Sequence, residues 1–535
     1  MRLMRALKRR IDPTAEDGYT MIAVVGAISL VSMLAAATLA ATNGDIHLVQ
    51  RDLDHRRAHA AAQAGVADYS FHLNNDNSYW SRCTTVPTPS AVNQQGSTAN
   101  RRSVPGPARE TYSIELLPAT GKSTCDPAKP VESMLEQSGK ISNGSFRIRS
   151  TGYSGETKVA LVATYKRASL LDYVYFTQLE TSDPVVYDSD TIVSAYTQCV
   201  KFRREGRESV ALSNHGGNTC DRIVFAPQDN IKGPMHTNDD FAICGSPILG
   251  RNASDVLEVG SPPKGWMDGG CSGDGTPTSN NFKGTFITTA PVLKPPSTNA
   301  RLKTIAGPSY TFSCQTRIEL EGTQMKVTTR NGASTLAFPS SGVVYIANDS
   351  CPNNGGQEWG PCSSSFSPFT AIYPSGSDCG TARVSGTYSG ELTIAAENDI
   401  IVWDDITRTG GGLLGLIANN FVRVRHPFSD TNDTVKGKCD DGDDLTGTQT
   451  NLKIEAAILA IDHSFIVDHY DCGDELGTLT VKGAISQKFR GAVGTTGGTG
   501  YIKNYEYDDR LRYMEPPNFL DPVAPSWHIQ RETLG

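Results

Sequence analysis

Residues 19–41 contain no charged side chain, and this run limits what the chain can become more than any other segment. As an α-helix rising about 1.5 Å per residue it is about 35 Å long, enough to cross a hydrocarbon core of about 30 Å. Arg2, Arg5, Lys8, Arg9 and Arg10 all precede the run, whereas the first ionisable residues after it are Asp45, His47 and Arg51. Positive charge on one flank holds the leader in the cytoplasm and sends everything after residue 42 outward.

A secretory signal peptide has an apolar core of about 7–15 residues, shorter than this run, although the small residues at 35–41 would suit a signal peptidase. The polar stretch 12–17 separates the basic leader from the apolar run, and Gly18 stands at the boundary. This arrangement resembles the class III leader of type IV prepilins, in which a dedicated peptidase cuts after the glycine and leaves the apolar helix attached. The resemblance implies that Gly18 is the last leader residue and Tyr19 the mature N-terminus.

Helical patterning continues beyond the span. Ile46, Val49, Leu53, Ala60, Ala64, Ala67 and Phe71 recur at intervals of three, four or seven, which is one apolar stripe, until Asn74, Asn75, Asp76 and Asn77 stop the helix. The spacing predicts one rod over 19–73, membrane-spanning at 19–41. The run 60–66 is similar to the corresponding stretch of PilX-type minor pilins, whose helices enter a filament with one half and lie across a small sheet with the other. Ala23 departs from that family, which usually carries glutamate at the fifth mature position, where it pairs with a neighbour's terminal amine. A subunit without that carboxylate suits a filament tip, since a buried unpaired amine is costly. The same departure puts polymerisation in question.

Between the helix and residue 168, strand-like runs at 111–117, 145–151 and 158–167 are separated by turn signals, with Phe146 and Ile148 alternating with Arg147 and Arg149. The four residues 152–155 read as a hairpin connection, and 86–107 as a loop. The order of helix then antiparallel sheet is that of the pilin fold, giving an α+β module with its sheet over 74–168.

From 169 to 535 short apolar strands alternate with Gly and Asn, and helical periodicity is almost absent. The steps from Leu392 to Leu413 and from Ile458 to Leu479 are twenty-one residues, a length that suits one coil of an irregular right-handed parallel β-helix. Asn398, Asp399, Asn419, Asn420 and Gly483 are then expected at corners in left-handed conformations; a β-sandwich is the alternative. This region, through the runs 233–238, 415–418, 483–491, 507–511 and 516–520, also resembles a family of large exported bacterial proteins with PilX-like N-termini. That resemblance implies surface location and pilus-like assembly.

The 51 glycines, 29 prolines and 20% charged residues suit a turn-rich exported protein with two or three cores. All twelve cysteines lie beyond the span. None is spaced for a zinc site, so disulfides are expected in an oxidising exterior. Short loops pair Cys83 with Cys125, Cys199 with Cys220, Cys244 with Cys271, Cys351 with Cys362 and Cys439 with Cys472, leaving Cys314 to Cys379. A net charge of -8 without a basic cluster outside the leader argues against nucleic acid.

Catalytic and metal chemistry has few footholds. Asp399, Asp404, Asp405, His426 and His463 are the residues that a polysaccharide-cleaving β-helix would draw on, but no spacing singles out a pair. His236, Thr237, Asn238 and Asp239 read as a turn with side-chain to backbone bonds. Asp462 and His463 stand about 20 Å from Asp468 and His469 along an extended strand, too far for one metal without a sharp turn. Asp440, Asp441, Asp443 and Asp444 offer hard oxygen ligands for calcium, without the closing glutamate of a calcium-binding EF loop. No cofactor is expected beyond that ion.

The reading is a minor, pilin-like subunit with no enzymatic role, anchored by one helix, its bulk extracytoplasmic and displayed on the cell surface or pilus. Expected partners are other pilin-like subunits, the prepilin peptidase and the cytoplasmic membrane, with surface polysaccharide or a neighbouring cell as a target. A surface-anchored polysaccharide-active enzyme is the alternative.

Overall fold

The computed structural model describes residues 19–76, 79–81, 101–106, 109–126, 128–138, 141–142, 145–186, 192–207, 220–260, 264–268, 281–349, 380–426, 449–512, 514–523 and 527–535. One helix, Tyr19–Asn75, runs unbroken for 57 residues, a length of about 85 Å. Its segment Met21–Leu39 is long and apolar enough to cross a membrane and is wholly unburied.

The far end of this helix packs on an antiparallel sheet built from Arg102–Ser103, Thr111–Leu117, Ser145–Ser154, Thr157–Arg167 and Trp527–Leu534, in that order across the sheet. The last strand comes from the C-terminus, so the first module is closed by residues that the sequence-based boundaries leave with the second. Trp527 explains the return. Its ring meets Phe146 edge-on at 4.9 Å and Trp80 at 5.9 Å, inside a cluster that also holds Tyr69 and Tyr165. Each such aromatic pair contributes about 0.5–1.5 kcal/mol beyond its buried area.

The helix does not face the sheet with the stripe expected from sequence. Ala58, Ala61, Ala62, Val66, Tyr69 and Leu73 are buried, while Val49, Leu53 and Phe71 stay exposed at 59%, 44% and 62%. The cause is close approach. A methyl on Gly152 would lie 2.0 Å from the Ala58 carbonyl oxygen, and one on Gly65 would lie 2.2 Å from the Ser150 hydroxyl. The Ser150 hydroxyl donates to the Ala62 carbonyl at 2.8 Å and that of Tyr165 to the Val66 carbonyl at 2.9 Å. Small residues therefore belong at the interface, and the bulkier apolar face is left outward. Gly152 consequently sits within a strand and not in the hairpin connection, which is the tighter pair Gly155 and Glu156 between Ser154 and Thr157.

From Tyr175 to Tyr507 the strands form parallel ladders, apart from an antiparallel excursion through Thr316–Gly322, Gln324–Thr329 and Gly332–Ala337. In one, the register partners in spatial order are Thr311, Tyr345, Ala395, Ile417, Leu459, Ser486, Phe176, His236, Glu258 and Ile287. A second carries Arg317, Arg383, Ile401, Arg423 and Ile466. The third carries Leu320, Gly386, Ile406, Ile454, Val481, Tyr505, Ile231 and Leu249. The apolar residues between these columns, among them Ile394, Leu416, Ile458, Ile485, Met235 and Leu257, belong to one continuous core. Such runs, apolar on consecutive rungs, are what parallel strands covered on their inner face require.

Spatial order and chain order differ. The ladder climbs from 311 to 486, then steps back to 176 and continues to 287, so the first-made rungs stack on the last-made ones. Residues 288–300 span the difference along the side of the stack. Leu293 exchanges backbone bonds with the Asn238 side chain, and the Asn299 amide donates to the Ala396 and Ile417 carbonyls at 2.7 and 3.1 Å.

Two expectations need correction. Leu392 pairs with Leu414 and Ile400 with Val422, one residue beyond the step read from sequence, and Ile458 pairs with Ile485 while Leu479 lies against Lys503. Coil length varies because the connections between strands vary. Nor do Asn398 and Asn420 take left-handed conformations; among the described residues the non-glycine positive φ values belong to Cys314, Asn451, His469 and Asn518. Instead the Asn420 amide donates to Asn398 at 2.5 Å and that of Asn398 to Thr381 at 2.9 Å, a side-chain ladder that fixes the corner. Gly483, with φ of 155°, is not left-handed helical either and lies not at a corner but inside the strand Glu475–Phe489, where it passes from the third ladder to the first.

Candidate functional site

The step from Ser486 back to Phe176 creates a seam between residues 170–290 and 450–512, and the ionisable side chains concentrate there. Arg490 pairs with Glu180 at 2.8 Å, both side chains 1% exposed. Lys503 pairs with Asp229 at 2.7 Å, and His463 with Asp183 at 3.0 Å. In all three buried pairs the earlier segment supplies the acid and the later one the base. Nearer the surface, Lys232 meets Glu506 at 2.8 Å and Arg251 meets Asp509 at 2.7 Å. The polarity is reversed in these outer two pairs, where the earlier segment supplies the base, so the seam is matched pair by pair and its register is fixed because a slip would bury unpaired charges.

Glu180 also accepts from the hydroxyls of Tyr175 and Thr177. Asp239 is held by Arg207 and by the backbone N–H groups of Arg203 and Glu180. The Arg490 guanidinium lies 3.6 Å over the Phe225 ring. Burial pushes the Lys503 ammonium below its ordinary range, against the pull of Asp229. His463 is lowered by burial but raised by more through Asp183, Asp399 and Asp462 together, so its net shift is upward. It stacks on Phe421 at 4.5 Å.

An open cavity of about 340 Å³ lies on this seam. Asp229, Lys503, Ala226 and Ala492 form its buried floor, Tyr470 and Tyr501 also line it, and Arg222, Gln228, Glu475 and Thr496 stand exposed at its rim. Nothing in the sequence signalled it, since its two sides come from stretches more than two hundred residues apart. The run 483–491 and the run 233–238, which sequence singled out, lie on strands that flank Tyr175–Leu179 on either side. Their residues build the seam.

The residues considered for chemistry converge only in part: the His426 and His469 rings each bond the other's backbone carbonyl and lie 6.5 Å apart, and Asp399 lies near enough to His463 to raise its pKa. His236 lies on a strand, fully buried, with Nδ1 2.9 Å from Glu258 and Nε2 3.1 Å from Asn238. Thr237 makes a local bond by accepting from the Asp239 N–H, but the Asn238 and Asp239 side chains accept from the distant backbone N–H groups of Leu293 and Arg203, so a strand and long-range bonds replace most of the expected turn. Asp399 is raised by burial and faces Arg423, whose Nε also bonds Asp468 at 2.8 Å. Asp404 and Asp405 are exposed, and His426 bonds the Asp468 and His469 carbonyls at 3.1 Å. Among the described residues no group of three or more His, Cys, Asp or Glu is placed to hold a metal ion.

Tyr19 is the first residue of the long helix. Cys199 and Cys220 form a disulfide with Cα atoms 5.6 Å apart, and Cys125, Cys244, Cys314 and Cys472 are disulfide-bonded as well. Gly18, the cysteines at 83, 271, 351, 362, 379 and 439, and the calcium candidates Asp440, Asp441, Asp443 and Asp444 lie outside the described residues.

No protein-family model and no curated protein matches the chain. Among solved structures, the competence-associated pilin ComZ from Thermus thermophilus aligns with 90% of this chain and 98% of its own at 10% identity and a TM-score of 0.27. A likeness at that level carries no argument about function.

Proposed function

We propose that the protein is a minor, pilin-like subunit without enzymatic activity, assembled from the membrane and displaying a large β-domain outside the cell. One observation carries the reading. The fully exposed apolar segment Met21–Leu39 and the buried residues Ala58 to Leu73 belong to a single unbroken helix, so whatever holds the first half holds the folded domain. A removable signal would have no reason to continue as the packing element of a folded sheet. The leader charge bias orients the domain outward. Gly18 and Tyr19 mark the processing point, and Ala23 favours a filament tip.

The displayed domain is read as an irregular right-handed parallel β-helix. The parallel ladders around one core support it, and right-handed crossovers are the rule between parallel strands. Pilin-like subunits and a prepilin peptidase are its partners in assembly, and a structural or adhesive role follows from display. Replacing Gly18 by Trp tests the processing step: the expected product is an uncut precursor held in the membrane. Unchanged cleavage of that variant would remove the prepilin reading.

A further inference from the structure

The cavity on the seam is both concave and lined by a buried ion pair. We propose that it binds a single neutral sugar residue. The proposal deepens the adhesive reading above and rests on it only for where the sugar comes from.

Size sets the first limit. At about 340 Å³ the cavity falls at the lower end of small-molecule sites, room for one pyranose unit, and its open mouth leaves any further units in solvent. Chemistry sets the second. The floor is already neutral, because Lys503 and Asp229 pair at 2.7 Å. A ligand reaching them meets a donor and an acceptor side by side and has no net charge to satisfy. The lining adds the hydroxyls of Thr495, Thr496 and Thr499, the Gln228 amide and the carboxylates of Asp471 and Glu475. Alternating hydroxyl, amide and carboxylate groups suit vicinal hydroxyls, which donate and accept at once.

Charge sets the third limit. On the floor an anion such as a uronate or phosphate meets only a lysine already matched by Asp229, and at the rim it meets the exposed Glu475 carboxylate, so both are disfavoured. The apolar part of the lining, Ala226, Ala492 and the two tyrosines, gives the carbon-bound hydrogens of a sugar ring a surface to cover. Because one side comes from residues 182–229 and the other from 470–503, the site exists only when the seam is closed.

The test uses the full chain in detergent with the methyl glycosides of glucose, galactose and N-acetylglucosamine as probes, and glucuronate and putrescine as charged controls, read by titration calorimetry. At least one neutral glycoside should bind with a Kd of about 1 mM, the range expected for so few heavy atoms, and glucuronate should not. Thr496→Trp, which plugs the mouth from an exposed position, should weaken binding about tenfold or more. Glu475→Gln, also at the rim, should weaken it without altering the far-UV spectrum of the protein. Binding of a trisaccharide ending in the same sugar identifies a chain end as the source, and its failure identifies the free sugar. The proposal is overturned if no neutral glycoside binds, if putrescine alone binds, or if Thr496→Trp leaves binding unchanged. Those outcomes leave cleavage after Gly18 untouched, and a protein found cut elsewhere would leave sugar binding untouched.

Discussion

Gly152→Ala probes the contact that joins the long helix to the folded domain. The added methyl would sit 2.0 Å from the Ala58 carbonyl oxygen, 2.3 Å from the Ala62 nitrogen and 2.9 Å from the Ala61 carbonyl carbon. All three are backbone atoms of a helix and cannot rotate away, so the helix must retreat by about 1 Å or more to restore contact, enough to forfeit a quarter to a half of the dispersion well along the interface. The same retreat stretches the bonds from Ser150 to Ala62 and from Tyr165 to Val66, now 2.8 and 2.9 Å. Overpacking costs about 1–3 kcal/mol, and two buried hydrogen bonds add about 1 kcal/mol each. The sum, about 3–5 kcal/mol, acts on helix docking and leaves the parallel ladders alone. Hydrogen exchange on the full chain in detergent should show loss of protection at residues 58–73 and none at 392–424. Unchanged protection at 58–73 would refute the close-approach argument, and loss at both places would refute the independence of the two modules.

Lys503→Ala leaves Asp229 buried without its ammonium and should cost about 3–5 kcal/mol in urea unfolding, whereas Lys503→Met combined with Asp229→Leu, which removes both charges together, should cost less. Stability of the seam should depend on His463. Its folded-state value is raised above the ordinary one near 6.5, so the folded protein holds a proton that the unfolded chain has released. That contribution is complete below about pH 6 and fades as pH climbs through the raised value; His463→Gln should flatten the downward slope of stability above about pH 6. Phe71→Glu changes a side chain that is 62% exposed and should shift unfolding by no more than about 0.5 kcal/mol. On the proposed assembly, in which the outward apolar face meets neighbouring subunits, it should abolish cross-linking to them in cells.

The helix and the first sheet were legible because their signals are local: an uncharged run, a cluster of Asn and Asp at the end, and alternation around Phe146 and Ile148. The helix face was not. Val49, Leu53 and Phe71 are as periodic as Ala58, Ala62, Val66 and Tyr69, and only the sheet's Gly152 and Ser150 decide which face is covered. Repeating apolar strands at 392–395, 413–418 and 454–461 were visible, but their spatial order was not, since a ladder pairs residues such as Ser486 and Phe176 that no local pattern connects. The cavity was hidden for the same reason. The C-terminal strand was missed because Trp527 contributes to the core of a sheet whose other strands end at Arg167.

The central claim is that the apolar rod stays joined to the β-domain after the leader is removed. Intact-mass measurement of the protein extracted from membranes tests it directly. A mature chain that begins at Tyr19 and remains with the membrane fraction is the expected result. A chain beginning near Asn43, recovered free of membranes, would contradict it.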